Sequence, residues 1–396
     1  MTDVLFYVQH LLGIGHVRRA ALIARAMHRV GLEVVLVSGG LPVPGLDLAG
    51  AKLVQLPPLR ARDESFSTLV DAGGRPVDEP WKAARAAALQ AIYKENRPKV
   101  LLIEMFPFGR RLMRFELLPL LDMAGTTQPR PAIMCSLRDV LSAPRSAEKA
   151  SWMVATFRRY FDQLLVHGDP AFLPLERSFP PARELAAQIR YTGYVAETAS
   201  ACAPASAAHS GEVVVSTGGG AVAGPLIAAA LAARPLSPLA EVPWRILVGD
   251  NLPEEPFRTF CAAAPSGVVV ERARPDFPAL LARARLSISQ AGYNTVLEVL
   301  AARIPAVVVP FAGSSETEQS LRARLLSERG AFTVLPEAEL SPATLAEAIG
   351  SALSRAPAPS GIADLDVANL DVANLDVGGA EKTAQIVAQA AAMVTG

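Results

Sequence analysis

Cysteine is scarce: Cys135, Cys202 and Cys261 lie far apart in a chain of 396 residues. No C-x-x-C pair occurs, which excludes a zinc ribbon or a disulfide framework as the organising principle and fits a reducing cytosol. Net charge is lacking too. Lysine plus arginine equals aspartate plus glutamate, 38 each. No basic excess is available to neutralise a phosphate backbone, so nucleic acid is not an expected partner. No apolar run reaches the ~20 residues that span a bilayer; the longest lies around Ala221–Ala233. Met1–Val8 has no basic segment ahead of its apolar residues and reads as a strand, not a secretory leader. The expectation is a cytoplasmic chain with at most peripheral contact at a membrane.

What is present is apolar residue in quantity, 51% of the chain, and it is patterned. Two domains are the natural division at this length. Val4–Val8, a Gly-containing turn, a helical pattern over His16–Val30 and Val34–Ser38 make a strand–turn–helix–strand unit. Continuous apolar runs of this kind are buried parallel strands. A helix at Trp81–Asn96 and strands at Val100–Ile103, Ala132–Ser136, Gln163–His167 and Ile189–Tyr191 extend the pattern. A small, polar, Pro-containing stretch then reads as a linker, with boundaries set at 1–198 for the first domain and 199–211 for the linker. A second series follows over 212–378. Its strands are Val213–Ser216, Trp244–Val248, Val268–Val270, Leu286–Ser289, Ala306–Pro310 and Ala331–Leu335. Helices at Ala223–Ala233, Phe277–Ala284, Tyr293–Ala302 and Gln319–Arg329 alternate with them, and residues 379–396 close the chain as a helix. The fold class is α/β with two doubly wound domains.

One repeat stands apart. Ala363–Val377 reads ADLDV-ANLDV-ANLDV. Pentapeptides of this type build four-sided solenoids, but three units make less than one coil, and repeat folds need stacked neighbours. The favoured reading is a duplicated surface-loop insert.

Chemistry concentrates after the strands of the second half. Ser289–Glu298, SQAGYNTVLE, leaves a strand, turns at a glycine and opens a helix. A helix start presents unpaired N–H groups and partial positive charge, which suits a diphosphate. Asn294 or Thr295 is placed to cap that helix or to reach phosphate. Glu298, about one turn on, has a carboxylate able to accept from both hydroxyls of a ribose. Downstream, VVVPF leads through a loop to Glu318–Gln319. An acid and an amide side by side can grip several sugar hydroxyls.

Over Ser289–Ala323 these elements, G-x-N-T-x-x-E, I-P-x-V-V-V-P-F and E-Q-x-x-R-A in order, resemble the C-terminal donor domain of glycosyltransferase family 28. The resemblance implies a GT-B fold, two Rossmann-like domains facing a cleft. It implies that Glu298 meets the ribose, that Gly292, Tyr293, Asn294 and Thr295 form the diphosphate loop, and that Glu318 and Gln319 contact the sugar. Glu318 departs from the paired glutamines of the family member compared, which leaves the sugar open.

Two Gly-rich turns complete the candidates. VVVSTGGG places Thr217, Gly218, Gly219 and Gly220 after a strand, where glycines allow close approach to phosphate. The competing reading is a flexible turn. Near the amino terminus, HLLGIGH offers Gly13, Gly15 and His16. Arg18 stands where a third glycine would complete a dinucleotide fingerprint, so a dehydrogenase is disfavoured. The Gly15-His16 end resembles the family's own glycine loop, and His16 becomes the candidate general base for an acceptor hydroxyl. Its competing reading is a helix-terminal histidine, with His10 as the rival base. Glu104, Arg138-Asp139 and His167-Gly168-Asp169 end other strands and are second-rank candidates. Met105–Leu121, with Arg110, Arg111 and Arg114, reads first as a core helix with a solvated basic face and second as a membrane contact.

The expected activity is therefore transfer of a hexosyl group, N-acetylglucosaminyl by the resemblance, from a UDP-sugar to a hydroxyl acceptor that is lipid-linked or small. No cofactor or metal is expected: the only Asp-x-Asp, Asp364–Asp366, lies in the repeat. Inversion at the anomeric carbon is what the resemblance implies. A UDP-sugar 2-epimerase-like enzyme, for which Glu104 and Asp139 would supply acid and base, and a non-catalytic sugar-nucleotide-binding subunit are the alternatives.

Overall fold

A computed structural model describes residues 2–11, 13–62, 68–142, 144, 146–196, 211–219, 222–312, 318–328, 330–355 and 376–394. The pentapeptide repeat up to residue 375, the linker residues 197–210, Gly220 and the loop 313–317 lie outside them. The chain divides into two compact units, Met1–Glu197 with Leu375–Gly396, and Thr198–Asn374.

The first unit opens with β1 (Val4–Val8), α1 (Gly15–Arg29), β2 (Val34–Ser38), β3 (Lys52–Gln55) and a small antiparallel hairpin of β4 (Leu59–Ala61) and β5 (Leu69–Asp71). It continues with α2 (Glu79–Asn96), β6 (Val100–Glu104), α3 (Arg114–Thr126), β7 (Ala132–Arg138), α4 (Ala147–Tyr160), β8 (Gln163–His167) and β9 (Ile189–Tyr191). Seven strands form one parallel sheet in the order β3-β2-β1-β6-β7-β8-β9. Strands β1, β2 and β6 are buried at every residue. That is why they read as unbroken apolar runs, helices covering both faces. The edge strand β3, KLVQ, is mostly exposed and carries no such run; the sequence pattern does not reveal it.

Local signals place the helices. Asp78 accepts from the Trp81 N–H and Pro80 sits in the first turn of α2. Ser146 caps α4 through the Lys149 N–H.

The second unit contains β10 (Val213–Ser216), α5 (Gly224–Ala233), β11 (Trp244–Val248), α6 (Glu254–Ala263), β12 (Val268–Arg272), α7 (Phe277–Leu281), β13 (Leu286–Ser289), α8 (Tyr293–Ala302), β14 (Ala306–Val308), α9 (Glu318–Glu328), β15 (Thr333–Val334) and α10 (Pro342–Ser354). Its parallel sheet runs β12-β11-β10-β13-β14-β15. A reciprocal Ser341–Thr344 capping box starts α10.

The closing helix, α11 (Gly379–Met393), belongs to the first unit. Ala380, Ala384, Val387 and Ala391 share one core cluster with Val17, Ala20, Ile23, Ala24 and Met27 of α1. The end of the chain thus supports the helix that begins at Gly15. Among the described residues, no helix is long and apolar enough to cross a membrane.

A buried ion pair stitches the first unit together. Arg85 of α2 donates to Glu116 of α3 at 2.7 and 3.2 Å, to Gln9 Oε1 at 2.7 Å, and to the Gly39 carbonyl at 3.0 Å and that of Pro57. Tyr7 donates its hydroxyl to Glu116, and the Gln9 amide nitrogen donates to the His10 and Leu59 carbonyls. Both charged side chains are fully buried, so removing one leaves the other uncompensated. Arg85→Met is expected to cost about 3–5 kcal/mol, read as a lower urea midpoint with an unchanged slope. A loss below 1 kcal/mol, roughly a surface pair's worth, would refute this role.

Candidate functional site

In an open parallel sheet, ligands bind beyond the carboxyl ends of the strands where the strand order reverses. Each unit has one such point. In the first it lies between β1 and β6, and in the second between β10 and β13.

At the first point, the loop after β1 leads into α1 and the strand β6 ends at Glu104. The two meet: His16 Nδ1 lies 2.7 Å from Glu104 Oε1. Arg19, one helical turn after His16, pairs with the same oxygen. Glu104 is 1% exposed and His16 14%. The next residue, Met105, has φ +68°, a left-handed conformation that costs a non-glycine residue about 1–3 kcal/mol.

Burial would raise the Glu104 carboxyl, but His16, Arg19 and Arg110 overcome it and hold its pKa at about 2. Burial, with Arg110 and Arg138, lowers His16 to about 3 against the opposing pull of Glu104. At neutral pH the pair is therefore a neutral imidazole on a carboxylate. An ionised carboxylate only accepts, so Nδ1 carries the hydrogen and Nε2 is the basic atom. This is the geometry of an oriented general base.

The other candidates here separate. Gly13 is exposed, and a Cβ there would meet nothing, so no packing demands glycine. Gly15 is the first residue of α1, whose start has no side-chain cap and no acidic residue. His10 is buried against Gly40, where a Cβ would approach its ring within 2.3 Å, and it does not reach Glu104 as His16 does. His167 is fully buried between Ser136 Oγ (2.7 Å) and Thr192 Oγ1 (2.9 Å), which makes it part of the core. Asp139 is 2% exposed. The epimerase-like alternative asked Glu104 for a free acid or base, but Glu104 is bound to His16 and Arg19. In Met105–Leu121, Met105, Phe106, Phe108, Met113, Leu117, Leu120 and Leu121 are buried, and only Leu112 among the large apolar residues is well exposed. The stretch is a core element with solvated Arg111 and Arg114.

At the second point, Gly292 is the extended residue before α8 (φ −62°, ψ 146°), with no side-chain cap. The first intrahelical bond runs from Val296 N–H to the Gly292 carbonyl. The N–H groups of Tyr293, Asn294 and Thr295 thus form the uncapped, partly positive start of the helix. Asn294, Thr295 and Glu298 are half-buried, and the three- and four-residue spacings put them on one face. Tyr293 differs: its side chain is 6% exposed and stacks with Arg322, 5.7 Å from the ring. Only its backbone is suited to a ligand.

Arg322, in the E-Q-x-x-R-A motif but not singled out from sequence, is 3% exposed and donates to the Ala291 carbonyl at 3.1 Å. It ties α9 to the turn before α8. The Phe311 N–H donates to Gln319 Oε1 at 3.2 Å, so the carbonyl end of Gln319 holds the loop and its NH2 end remains the sugar candidate. Glu318 is 4% exposed.

The glycine turn is held from beneath. Gly218 has φ +57°, a conformation that favours glycine. A Cβ on Gly249 would come within 2.2 Å of the Gly218 carbonyl. Arg272 in turn donates to the Gly249 and Leu252 carbonyls at 3.2 and 3.0 Å. Thr217, expected as a donor to ligand, is fully buried and gives its hydroxyl to the Leu247 carbonyl at 3.3 Å. A hydroxyl just past the end of a central strand satisfies the sheet, which leaves the backbone of Gly218 and Gly219 as the candidate ligand face. Gly220 lies outside the described residues.

Residues 213–361 match the family model described as the glycosyltransferase family 28 C-terminal domain. The matched stretch lies within the second unit. Two relatives are named UDP-N-acetylglucosamine--N-acetylmuramyl-(pentapeptide) pyrophosphoryl-undecaprenol N-acetylglucosamine transferase. That of Ralstonia nicotianae is 46% identical over 81 residues, 20% of this chain and 22% of the relative. That of Desulforudis audaxviator is 34% identical over 90 residues, 23% of this chain and 24% of the relative. The chain thus spans less than a quarter of the length of these curated relatives. Solved structures align throughout. The calicheamicin glycosyltransferase CalG4 has a TM-score of 0.58 at 19% identity, covering 100% of this chain and 98% of that one. Acinetobacter baumannii MurG gives 0.56 at 15% identity, covering 99% of each. Spinosyn rhamnosyltransferase SpnG with thymidine diphosphate gives 0.59 at 18% identity, also covering 99% of each. The fold is GT-B, built from two Rossmann-like parallel-sheet units.

The buried histidines make stability pH-dependent. His16 and His167 both fall from 6.5 to about 3 in the folded chain. Below pH 6.5 the unfolded chain takes up protons that the folded chain refuses, so stability is greatest above 6.5 and declines toward 3. Each such histidine contributes a slope approaching 1.4 kcal/mol per pH unit, as an order of magnitude (~2.303RT). Thermal unfolding is expected at a lower temperature at pH 5 than at pH 7.5, with a flatter profile in His167→Asn. An identical profile in that variant would contradict the assignment.

Proposed function

We propose that this chain is a metal-independent glycosyltransferase that moves a hexosyl group from a UDP-sugar to a hydroxyl acceptor. The observation that carries the reading is the uncapped start of α8 at the switch point of a family 28 C-terminal domain, with Glu298 one turn along the same face. The diphosphate lies on the N–H groups of Tyr293, Asn294 and Thr295 and on the Gly218–Gly219 backbone. Glu298 accepts from the ribose hydroxyls, and Glu318 and the Gln319 NH2 group meet the sugar. The names of the relatives in Ralstonia and Desulforudis favour UDP-N-acetylglucosamine as donor and a lipid-linked acceptor. A cytoplasmic place of action, at or near a membrane surface, goes with that donor and acceptor.

His16 is the base. The acceptor O–H gives its proton to Nε2 as the oxygen attacks the anomeric carbon. The bond from that carbon to the diphosphate oxygen breaks, and its electron pair leaves with the UDP. Glu104 stabilises the imidazolium that forms. Helix and loop N–H groups stabilise the growing negative charge of the leaving group. Attack opposite the departing diphosphate inverts the anomeric configuration.

Calorimetry with UDP-N-acetylglucosamine, UDP and competing nucleotides tests the reading. Wild-type protein binds UDP selectively. Glu298→Ala loses about tenfold or more in affinity, the scale of a charge-assisted hydrogen bond. His16→Ala keeps donor affinity while turnover in an acceptor screen falls at least ~100-fold, the usual scale for a lost general base. Folded wild-type protein that binds no nucleotide sugar would overturn the proposal.

A further inference from the structure

Arg19, the fifth residue of α1, is 3% exposed. Its guanidinium pairs with Glu104 Oε1, the same oxygen that receives His16 Nδ1. The other oxygen, Oε2, is buried without a hydrogen-bond partner among the described residues. All direct hydrogen bonding to this carboxylate is therefore concentrated on Oε1, and of its two partners only Arg19 carries a permanent charge.

A carboxyl in such a place, left without a cation, takes up a proton. Protonated Glu104 could donate to Nδ1. The imidazole would then carry its own hydrogen on Nε2 and have no lone pair for an acceptor hydroxyl. A guanidinium can only donate, so its presence on Oε1 opposes that state.

We propose that Arg19 is a positioning residue for His16: by keeping Glu104 an acceptor only, it holds the imidazole with its hydrogen on Nδ1 and its lone pair on Nε2. Of the other groups around the pair, Arg110 also favours the ionised Glu104, but through space. Arg110 donates to the Gln9 carbonyl at 2.7 Å, and Arg110 and Arg138 act on His16 through space, both opposing its protonation. His10 is raised by Glu104 but is held neutral by burial and Arg110. His167 is held by Ser136 and Thr192, Cys135 is a thiol raised by burial and by Glu104, and Asp139 lies beyond β7. The proposal rests on the reading of His16 as the base, but the state of its ring is measurable without any substrate.

The test is long-range proton–nitrogen correlation of the imidazoles in nitrogen-15-labelled full-length protein. The chain has five histidines, and His16→Gln identifies the signal. In wild type the ring is expected in the Nδ1–H tautomer near neutral pH. In R19M it shifts toward the Nε2–H tautomer, and R19K, which keeps the charge, restores the wild-type pattern. R19Q serves as the second neutral variant should R19M fail to fold. A folded neutral variant with the wild-type tautomer and titration would overturn the proposal. So would an R19K shift as large as that of R19M, since packing and not charge would then be responsible. Because the readout needs no donor or acceptor, absence of transferase activity would sink the functional reading and leave this result standing.

Discussion

Glu104 ends the strand β6 at the switch point of the first sheet, and its buried charge is the constraint around which that end of the unit is arranged. A carboxylate there is unfavourable unless hydrogen-bonded and opposed by positive charge. Both partners, His16 and Arg19, come from the first two turns of one helix, so α1 must start at Gly15 and hold its angle to the sheet. Two independent devices secure that. The closing helix α11 packs along the apolar face of α1. The Arg85–Glu116 pair, with Tyr7 and Gln9, locks the end of β1, where the loop to α1 begins. The placement of His16 against Glu104 thus depends on packing contributed by α11.

The second unit solves a different problem with backbone rather than charge. Its candidate ligand surface is the start of α8, which has no side-chain cap, beside a turn of glycines. Neither survives without support, since uncapped N–H groups and left-handed residues have no intrinsic reason to stay in place. Arg322 fixes the residue before α8, Gly249 leaves room for the glycine turn, and Arg272 fixes Gly249. These supporting residues set where the amides are.

Much of this was legible in the sequence. Buried parallel strands announce themselves as runs such as VLFYV and VVLVS, and the residues just beyond them are the right place to look. His16 and the Asn294–Glu298 face emerge from that logic and from the family 28 resemblance. What stayed hidden depends on contacts distant along the chain. Glu104 was one of several polar strand ends, and 88 residues separate it from His16; no local pattern joins them. Thr217 and Tyr293 look like ligand groups in a motif, but their side chains are consumed by the sheet and by Arg322. The strand KLVQ lies at an edge, where no apolar run is needed. That the final helix belongs to the first unit is a matter of tertiary packing, invisible in its Ala-rich pattern.

We propose that a nucleotide diphosphate is held by the backbone at the start of α8. A crystal structure of the protein soaked with UDP tests it most directly. The diphosphate is expected within hydrogen-bond distance of the Asn294 and Thr295 N–H groups, with the ribose hydroxyls on Glu298. UDP bound elsewhere on the chain, with the α8 start empty, would contradict it.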